Sequence, residues 1–319
     1  MTDTPLLSLR DLTVTFETRH GPLTPVDGIS LEVQPGDILG FVGESGAGKS
    51  MTGSAIIGLI DPPGKITGGQ VFWKGEDVTG RSEGLRGKEI GMIFQDPLTS
   101  LNPLKTVGDQ LTETILTHLP VTQKEARERA AAALEEVGID PERLRAYPHE
   151  FSGGMRQRVV VALALAAEPD LVIADEPTTA LDVSVQAQIL KLLRKICTER
   201  GAAVILITHD MGVIAETTDR VAVLYAGRLS EIGTTQGVLG DPQHPYTQGL
   251  MASTPKIDPN SLQDDLFQIP GSMPRLDALP SGCAFHPRCP KAMDRCLRER
   301  PELQQQRATC WLLAEEDAA

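Results

Sequence analysis

The 319-residue chain is 40 % hydrophobic, enough to build one large domain or two ordinary ones around a buried core. Its formal net charge of −13 argues against a nucleic-acid binder that works by neutralising phosphates. The opening MTDTPLLSLRDL lacks a basic region followed by an apolar stretch, and the most apolar segment, residues 159–167, has about half the length needed to span a bilayer. A cytoplasmic chain is therefore expected, with any membrane role arising through a partner.

In chain order, short β runs come first: LTVTF, GISLEV and DILGFVG, the last with a strand predicted over 38–42. A strand-rich segment, GGQVFWKGEDV, is followed by IGMIFQ, and from about 97 to 165 the pattern turns helical. VTQKEARERAAAALEEVGI combines helix formers, apolar positions at helical spacing and a glycine stop. A further helix is predicted over 155–167. DLVIADE, the helix within LDVSVQAQILKLLRKICTERG, and AAVILITHD then form a βαβ unit with near-continuous apolar strands. That pattern marks a buried parallel sheet and an α/β fold. From 241 onward the chain changes, with ten of its 23 prolines and few strand-like runs. Such a segment buries little surface against its ordering entropy and needs a staple or a docking surface.

Several segments carry chemistry. GESGAGKS (Gly43, Glu44, Ser45, Gly46, Ala47, Gly48, Lys49, Ser50) fits the phosphate-loop pattern G-x-x-x-x-G-K-S/T and follows a predicted strand, with Met51 next in the helix it opens. Its glycines let backbone N–H groups turn toward phosphate oxygens at a helix N-terminus. Lys49 would reach the β- and γ-phosphates and Ser50 would ligate Mg²⁺. LVIADEP ends an apolar strand in two carboxylates, which are costly there unless a cation is near. Asp175 would hold Mg²⁺ through its water shell, and Glu176 would polarise an attacking water as general base. VILITHD repeats the layout, placing His209 beyond another strand. Lys49, the Asp175–Glu176 pair and His209 are thus expected at the strand ends where open α/β folds bind ligands. FSGGMRQR supplies a second phosphate-ready helix N-terminus in Ser152, Gly153 and Gly154. Two cradles with a single lysine-bearing loop suggest a composite site closing on ATP held by another subunit.

Taken in order over about 240 residues, these motifs resemble the ATP-binding subunits of ABC transporters: GESGAGKS, then Gln95 in IFQDP, FSGGM, LVIADE, TALD (179–182) and His209. The signature departs from the commoner LSGGQ at Phe151 and Met155 but keeps its Ser-Gly-Gly donors. The resemblance implies a P-loop NTPase with a RecA-like core, an antiparallel β subdomain and a helical signature subdomain at about 97–165. It implies that Gln95 senses the γ-phosphate and Mg²⁺, that Asp182 communicates across a dimer, and that Phe16 stacks on adenine. Phe16 is equally readable as a core strand residue. VGESGAGKS, QDPLTSLNP, IADEPTTALDVSVQAQIL and HPYTQGL, with the tail PGSMPRLDALPSGCAFHPRC, are similar to the oligopeptide/dipeptide/nickel importer branch. This implies a cassette over 1–240, an extension over 241–319, and a second ATPase subunit of different sequence. It also implies two permease subunits, an external substrate-binding protein and a peripheral place on the cytoplasmic face of the membrane. Nickel, glutathione or another small solute is the alternative cargo. A soluble ABC ATPase acting on DNA or ribosomes is the alternative role, but the coiled-coil insertions, duplicated cassette or basic patches it predicts are missing from the sequence.

Cys283, Cys289, Cys296 and Cys310 crowd the tail, whereas the first 240 residues hold only Cys197, expected to be an uninvolved packing residue. In a reducing compartment clustered thiols more often mean metal than disulfides. Their spacing fits poorly with the short knuckles of zinc ribbons. Arg288, Lys291, Arg295, Arg298, Arg300 and Arg307 would offset the negative charge of a four-thiolate centre. On charge alone, zinc and an iron–sulfur cluster are equivalent. The family resemblance implies a 4Fe–4S cluster held by all four cysteines, with Zn²⁺ as the alternative.

Overall fold

The computed structural model describes residues 4–178, 181–254 and 267–316. It opens with strands β1 (Leu7–Thr18), β2 (Gly21–Val33) and β3 (Ile38–Val42), followed by helix α1 (Lys49–Ile56). Strands β4 (Gly64–Trp73) and β5 (Glu76–Asp77) complete an antiparallel sheet in the order β2-β1-β4-β5. Strand β1 runs well beyond the LTVTF segment because a register shift between Arg10 and Thr13, with Asp11 at φ 49°, lets the strand bend and continue.

Next come β6 (Ile90–Ile93) and helices α2 (Pro97–Ser100), α3 (Val107–His118), α4 (Gln123–Glu136) and α5 (Gly153–Leu165). Helix α4 lies within the predicted helical segment VTQKEARERAAAALEEVGI, and a capping box fixes its start. Thr122 accepts from the Glu125 backbone N–H, and the Glu125 carboxylate accepts in return from the Thr122 N–H. Its buried residues Ala126, Ala130 and Leu134 repeat every fourth position. Helix α5 begins two residues before the predicted 155–167 and ends two residues earlier. Ser152 caps it, accepting from the Met155 N–H at 3.3 Å, so both glycines enter the first turn.

Strand β7 (Leu171–Asp175), helix α6 (Val183–Arg200) and strand β8 (Ala203–Ile207) realise the predicted βαβ unit. β7 pairs in parallel with β6 and with β8, and all of its residues are buried, as are those of β8. Cys197 is buried in α6, and Gly201 at φ 70° terminates that helix. The remaining elements are α7 (Met211–Thr217), β9 (Arg220–Tyr225), β10 (Arg228–Thr234), α8 (Thr235–Gly240), α9 (Pro245–Ala252) and α10 (Trp311–Glu316). β9 pairs in parallel with β3 and antiparallel with β10.

The chain divides into two compact units. One comprises Met1–Glu32, Leu39–Gly80 and Thr208–Ala319; the other comprises Val33–Ile38 and Arg81–Ile207. In the first unit the proline-rich tail finds the docking surface its composition demands. Phe285 is 2 % exposed and packs against Tyr225 and Tyr246 at 5.2 and 5.3 Å between ring centroids. These rings join a core with Val42, Ile214, Val221 and Val223 from β3, α7 and β9. Burial of three aromatics is a large apolar contribution for so irregular a segment. Polar contacts fix its path: Arg300 pairs with Asp27 at 3.0 Å, and the Thr309 N–H donates to the Ser230 carbonyl at 2.8 Å. Burial pushes the Asp27 carboxyl up, but Arg228 and Arg300 together hold it below its ordinary value. Buried Glu231 accepts the backbone N–H groups of Gln243 and His244, each at 2.9 Å, which compensates its desolvation.

Candidate functional site

The first unit holds the phosphate loop. Buried β3 delivers the chain into residues 43–50, where Gly43, Gly46 and Gly48 adopt φ of 147°, 81° and 99°. A Cβ at Gly43 would stand 2.2 Å from the Leu224 carbonyl oxygen, and one at Gly48 would stand 2.3 Å from that of Pro25. Side chains are thus excluded where the backbone must turn its amides outward. Gly48 precedes α1 with no side-chain cap, leaving the first N–H groups of the helix to be satisfied by other means. Lys49 is 7 % exposed, and its Nζ donates to the carbonyls of Gly43 and Glu44 at 2.8 and 3.1 Å. Ser45 and Ser50 are exposed, Ala47 is buried and Met51 is half-buried. Ala47 accepts from the Gly227 N–H at 2.9 Å, which ties the loop to the β9–β10 turn.

Two contacts with the loop were missed by sequence reasoning, those of Tyr246 and of Arg288, the latter read only as a cation near the cysteines. The Tyr246 hydroxyl accepts the Glu44 backbone N–H at 2.9 Å, and Arg288 reaches the Glu44 carboxylate. Neither carries a local signal, since each is remote in the chain from the loop it touches. Phe16 is half-buried on β1 opposite Gly64, close enough that a Cβ at Gly64 would meet its ring at 2.6 Å. His209 is exposed, two residues beyond β8 and just before Asp210, which caps α7.

The second unit holds the acidic residues. β7 ends at buried Asp175, and Glu176 follows in the left-handed region at φ 46°. A non-glycine residue there is strained by about 1–3 kcal/mol and persists only when its surroundings over-determine it. The Glu176 N–H donates to Ile207 of β8 at 2.9 Å, and the Gln95 side-chain amide donates to Glu176 Oε2 at 3.2 Å. Gln95 lies two residues past β6, so the β6–β7 pairing brings the two together. At the start of α5, a Cβ on Gly153 would meet nothing within 4 Å, while one on Gly154 would contact Leu181 and Val185 at 3.7–3.8 Å. Asp182 caps α6 by accepting from the Val185 N–H at 2.9 Å. Thr179 and Ala180 of the TALD segment lie outside the described residues.

The four tail cysteines come together. Cys283, Cys289, Cys296 and Cys310 line one cavity with Phe285, Trp311, His244 and Lys291. The Cys283 N–H donates to the Cys296 carbonyl at 2.9 Å, joining the two ends of the loop. Burial pushes the thiols of Cys283 and Cys289 up, and that of Cys310 up to about 11. Among the described residues, no group of three or more His, Cys, Asp or Glu is placed to hold a single metal ion. The donor chemistry of four thiols lining one cavity suits a thiophilic group. No helix among the described residues is long and apolar enough to cross a membrane.

Residues 26–179 match the ABC transporter family, and residues 230–296 match the oligopeptide/dipeptide transporter C-terminal region. The chain is 48 % identical to the dipeptide transport ATP-binding protein DppD of Bacillus subtilis, covering 96 % of this chain and 94 % of that one. It is 46 % identical to the oligopeptide transport ATP-binding protein OppD of Escherichia coli, over 93 % of this chain and 89 % of that one. Among solved structures it resembles the ATP-binding cassette MJ0796, a dimer in a post-hydrolysis state bound to ADP and Pi. The TM-score there is 0.66 at 28 % identity, covering 72 % of this chain and 99 % of that one.

Proposed function

The chain belongs to the ATP-binding proteins of the oligopeptide/dipeptide ABC transporter family and hydrolyses ATP; from that premise we propose that it energises the import of di- and oligopeptides across the cytoplasmic membrane. The cassette spans 1–240 and the extension 241–319. The observation that carries the catalytic assignment is Glu176, held in a left-handed conformation at the end of a buried strand with Gln95 donating to it at 3.2 Å. A carboxylate over-determined in this way is preorganised to take a proton from water attacking the γ-phosphate.

Lys49 binds the β- and γ-phosphates, the loop N–H groups of 43–51 cradle them, and His209 contacts the γ-phosphate. Ser50, Gln95 and Asp175 would hold Mg²⁺, which supplies charge neutralisation on the phosphates. Phe16 stacks on adenine. Ser152, Gly153 and Gly154 close on the nucleotide of a second ATPase subunit of different sequence, and Asp182 lies at that junction. Two permease subunits anchor the pair peripherally at the cytoplasmic face, and an external binding protein delivers the peptide.

Glu176→Gln keeps shape and loses basicity. It is expected to bind Mg·ATP and to lose about 10²- to 10⁴-fold in turnover. Near-normal turnover in the assembled transporter would remove Glu176 from the role.

The tail cysteines Cys283, Cys289, Cys296 and Cys310 would together hold a 4Fe–4S cluster, supported by their convergence on one apolar-walled cavity. Such a group would staple the tail or sense redox state, since ATP hydrolysis transfers no electrons. Anaerobically purified protein is expected to carry about four iron per chain, as four-cysteine ligation of this cluster requires. One zinc and no iron would put the zinc alternative in its place.

A further inference from the structure

Glu44 occupies a position that the phosphate-loop pattern leaves open, and a carboxylate beside a polyphosphate is repulsive unless something neutralises it. Arg288, the residue immediately before Cys289, does so. Its side chain is 7 % exposed, and its Nη1 donates to both Glu44 carboxylate oxygens, at 3.0 and 3.1 Å. The guanidinium is fixed at two further points: Nε donates to the Pro270 carbonyl at 2.8 Å and Nη1 to the Tyr225 hydroxyl at 3.3 Å. Glu44 is also gripped through its backbone, whose N–H donates to Tyr246 Oη at 2.9 Å. Two residues along, a Cβ on Gly46 would stand 3.0 Å from the Met273 side chain.

One loop of the nucleotide site is therefore held by the tail at the Glu44 side chain and by α9 at the Glu44 backbone, with Met273 of the tail close to Gly46. The contact continues inward, because Lys49 donates to the carbonyls of Gly43 and Glu44. On the tail side, Arg288 sits in a single turn, His286–Arg288, that the Cys289 N–H closes onto His286 at 3.2 Å. A shift of Cys289 must move Arg288.

We propose that Arg288 is a positioning residue for the phosphate loop, and that it makes ATP affinity depend on the seating of the cysteine-bearing tail. The pair is half-buried, with Arg288 enclosed and the Glu44 side chain 30 % exposed; such a charge-assisted pair is directional, and removing the arginine leaves the carboxylate uncompensated beside the loop. The proposal rests on the nucleotide-binding reading of residues 43–51. By linkage it is reciprocal: nucleotide on the loop must tighten the tail segment.

The test measures Mg·ATP affinity on the full chain. Arg288→Gln is expected to weaken binding by roughly tenfold or more, as loss of a charge-assisted hydrogen bond does. Arg288→Lys, which keeps the charge without the fixed planar fork, should fall between. Glu44→Gln combined with Arg288→Gln should lose less than the two single losses multiplied, because the unpaired carboxylate is gone. Melting of each nucleotide-free variant separates these effects from folding. Hydrogen exchange on the unsubstituted protein supplies an arm free of mutation: Mg·ATP should slow exchange over 283–296. Wild-type affinity in Arg288→Gln, or exchange over 283–296 indifferent to Mg·ATP, overturns the proposal. Failure of the unsubstituted chain to bind Mg·ATP at all would instead overturn the nucleotide reading on which it rests.

Discussion

In the phosphate loop the backbone does the shaping, with Gly43, Gly46 and Gly48 at positive φ within six residues of one another. In the tail over 267–316 the shaping falls to side chains that reach far along the chain. Phe285 packs on Tyr225, Arg300 pairs with Asp27, and Arg288 grips Glu44 across 244 positions. Both regions belong to the same unit, although the tail is much the richer in proline. What differs is the range of the interactions that hold each one. A loop built from local torsions takes its form from the flanking strand and helix and only its seating from distant contacts such as Arg288–Glu44, whereas a segment built from distant contacts has no form until those partners are in place.

The contrast can be broken from the loop side first. Gly43→Ala would place a Cβ 2.2 Å from a backbone carbonyl at φ 147°, where strain and overlap together cost roughly 2–6 kcal/mol. The expected result is loss of Mg·ATP binding and a lower denaturation midpoint. A variant with unchanged midpoint and affinity would mean that the loop is not shaped by its own backbone.

From the tail side, acid gives a smaller effect. His244 is 3 % exposed, and its Nδ1 accepts the Tyr246 N–H at 3.0 Å. Burial lowers its pKa from the ordinary 6.5 to about 4. The folded chain thus keeps the ring neutral while the unfolded chain takes up a proton. This contribution to stability is complete above about pH 6.5 and is lost as pH falls toward 4, amounting to about 3 kcal/mol at most. Urea midpoints between pH 7 and 4, compared with those of His244→Gln, should show the acid-dependent loss in the parent only. Equal slopes in both would assign the acid sensitivity to other groups.

Much of the site was legible in the sequence because its signals are short-range. The strand, glycine loop and lysine-bearing helix are consecutive. The apolar runs of β7 and β8 announce burial on both faces without reference to any partner. Even the four cysteines were readable as a cluster, since they recur within one stretch of the tail.

The tertiary structure decided the rest. The left-handed turn at Glu176 has no sequence mark, because it is enforced by contacts with Gln95 and Ile207 on neighbouring segments. Arg288 could be read from the sequence only as a cation balancing thiolates. Its grip on Glu44 depends on the tail folding back onto β9 and α9, and a contact between such distant positions leaves no periodicity or spacing for a sequence to display.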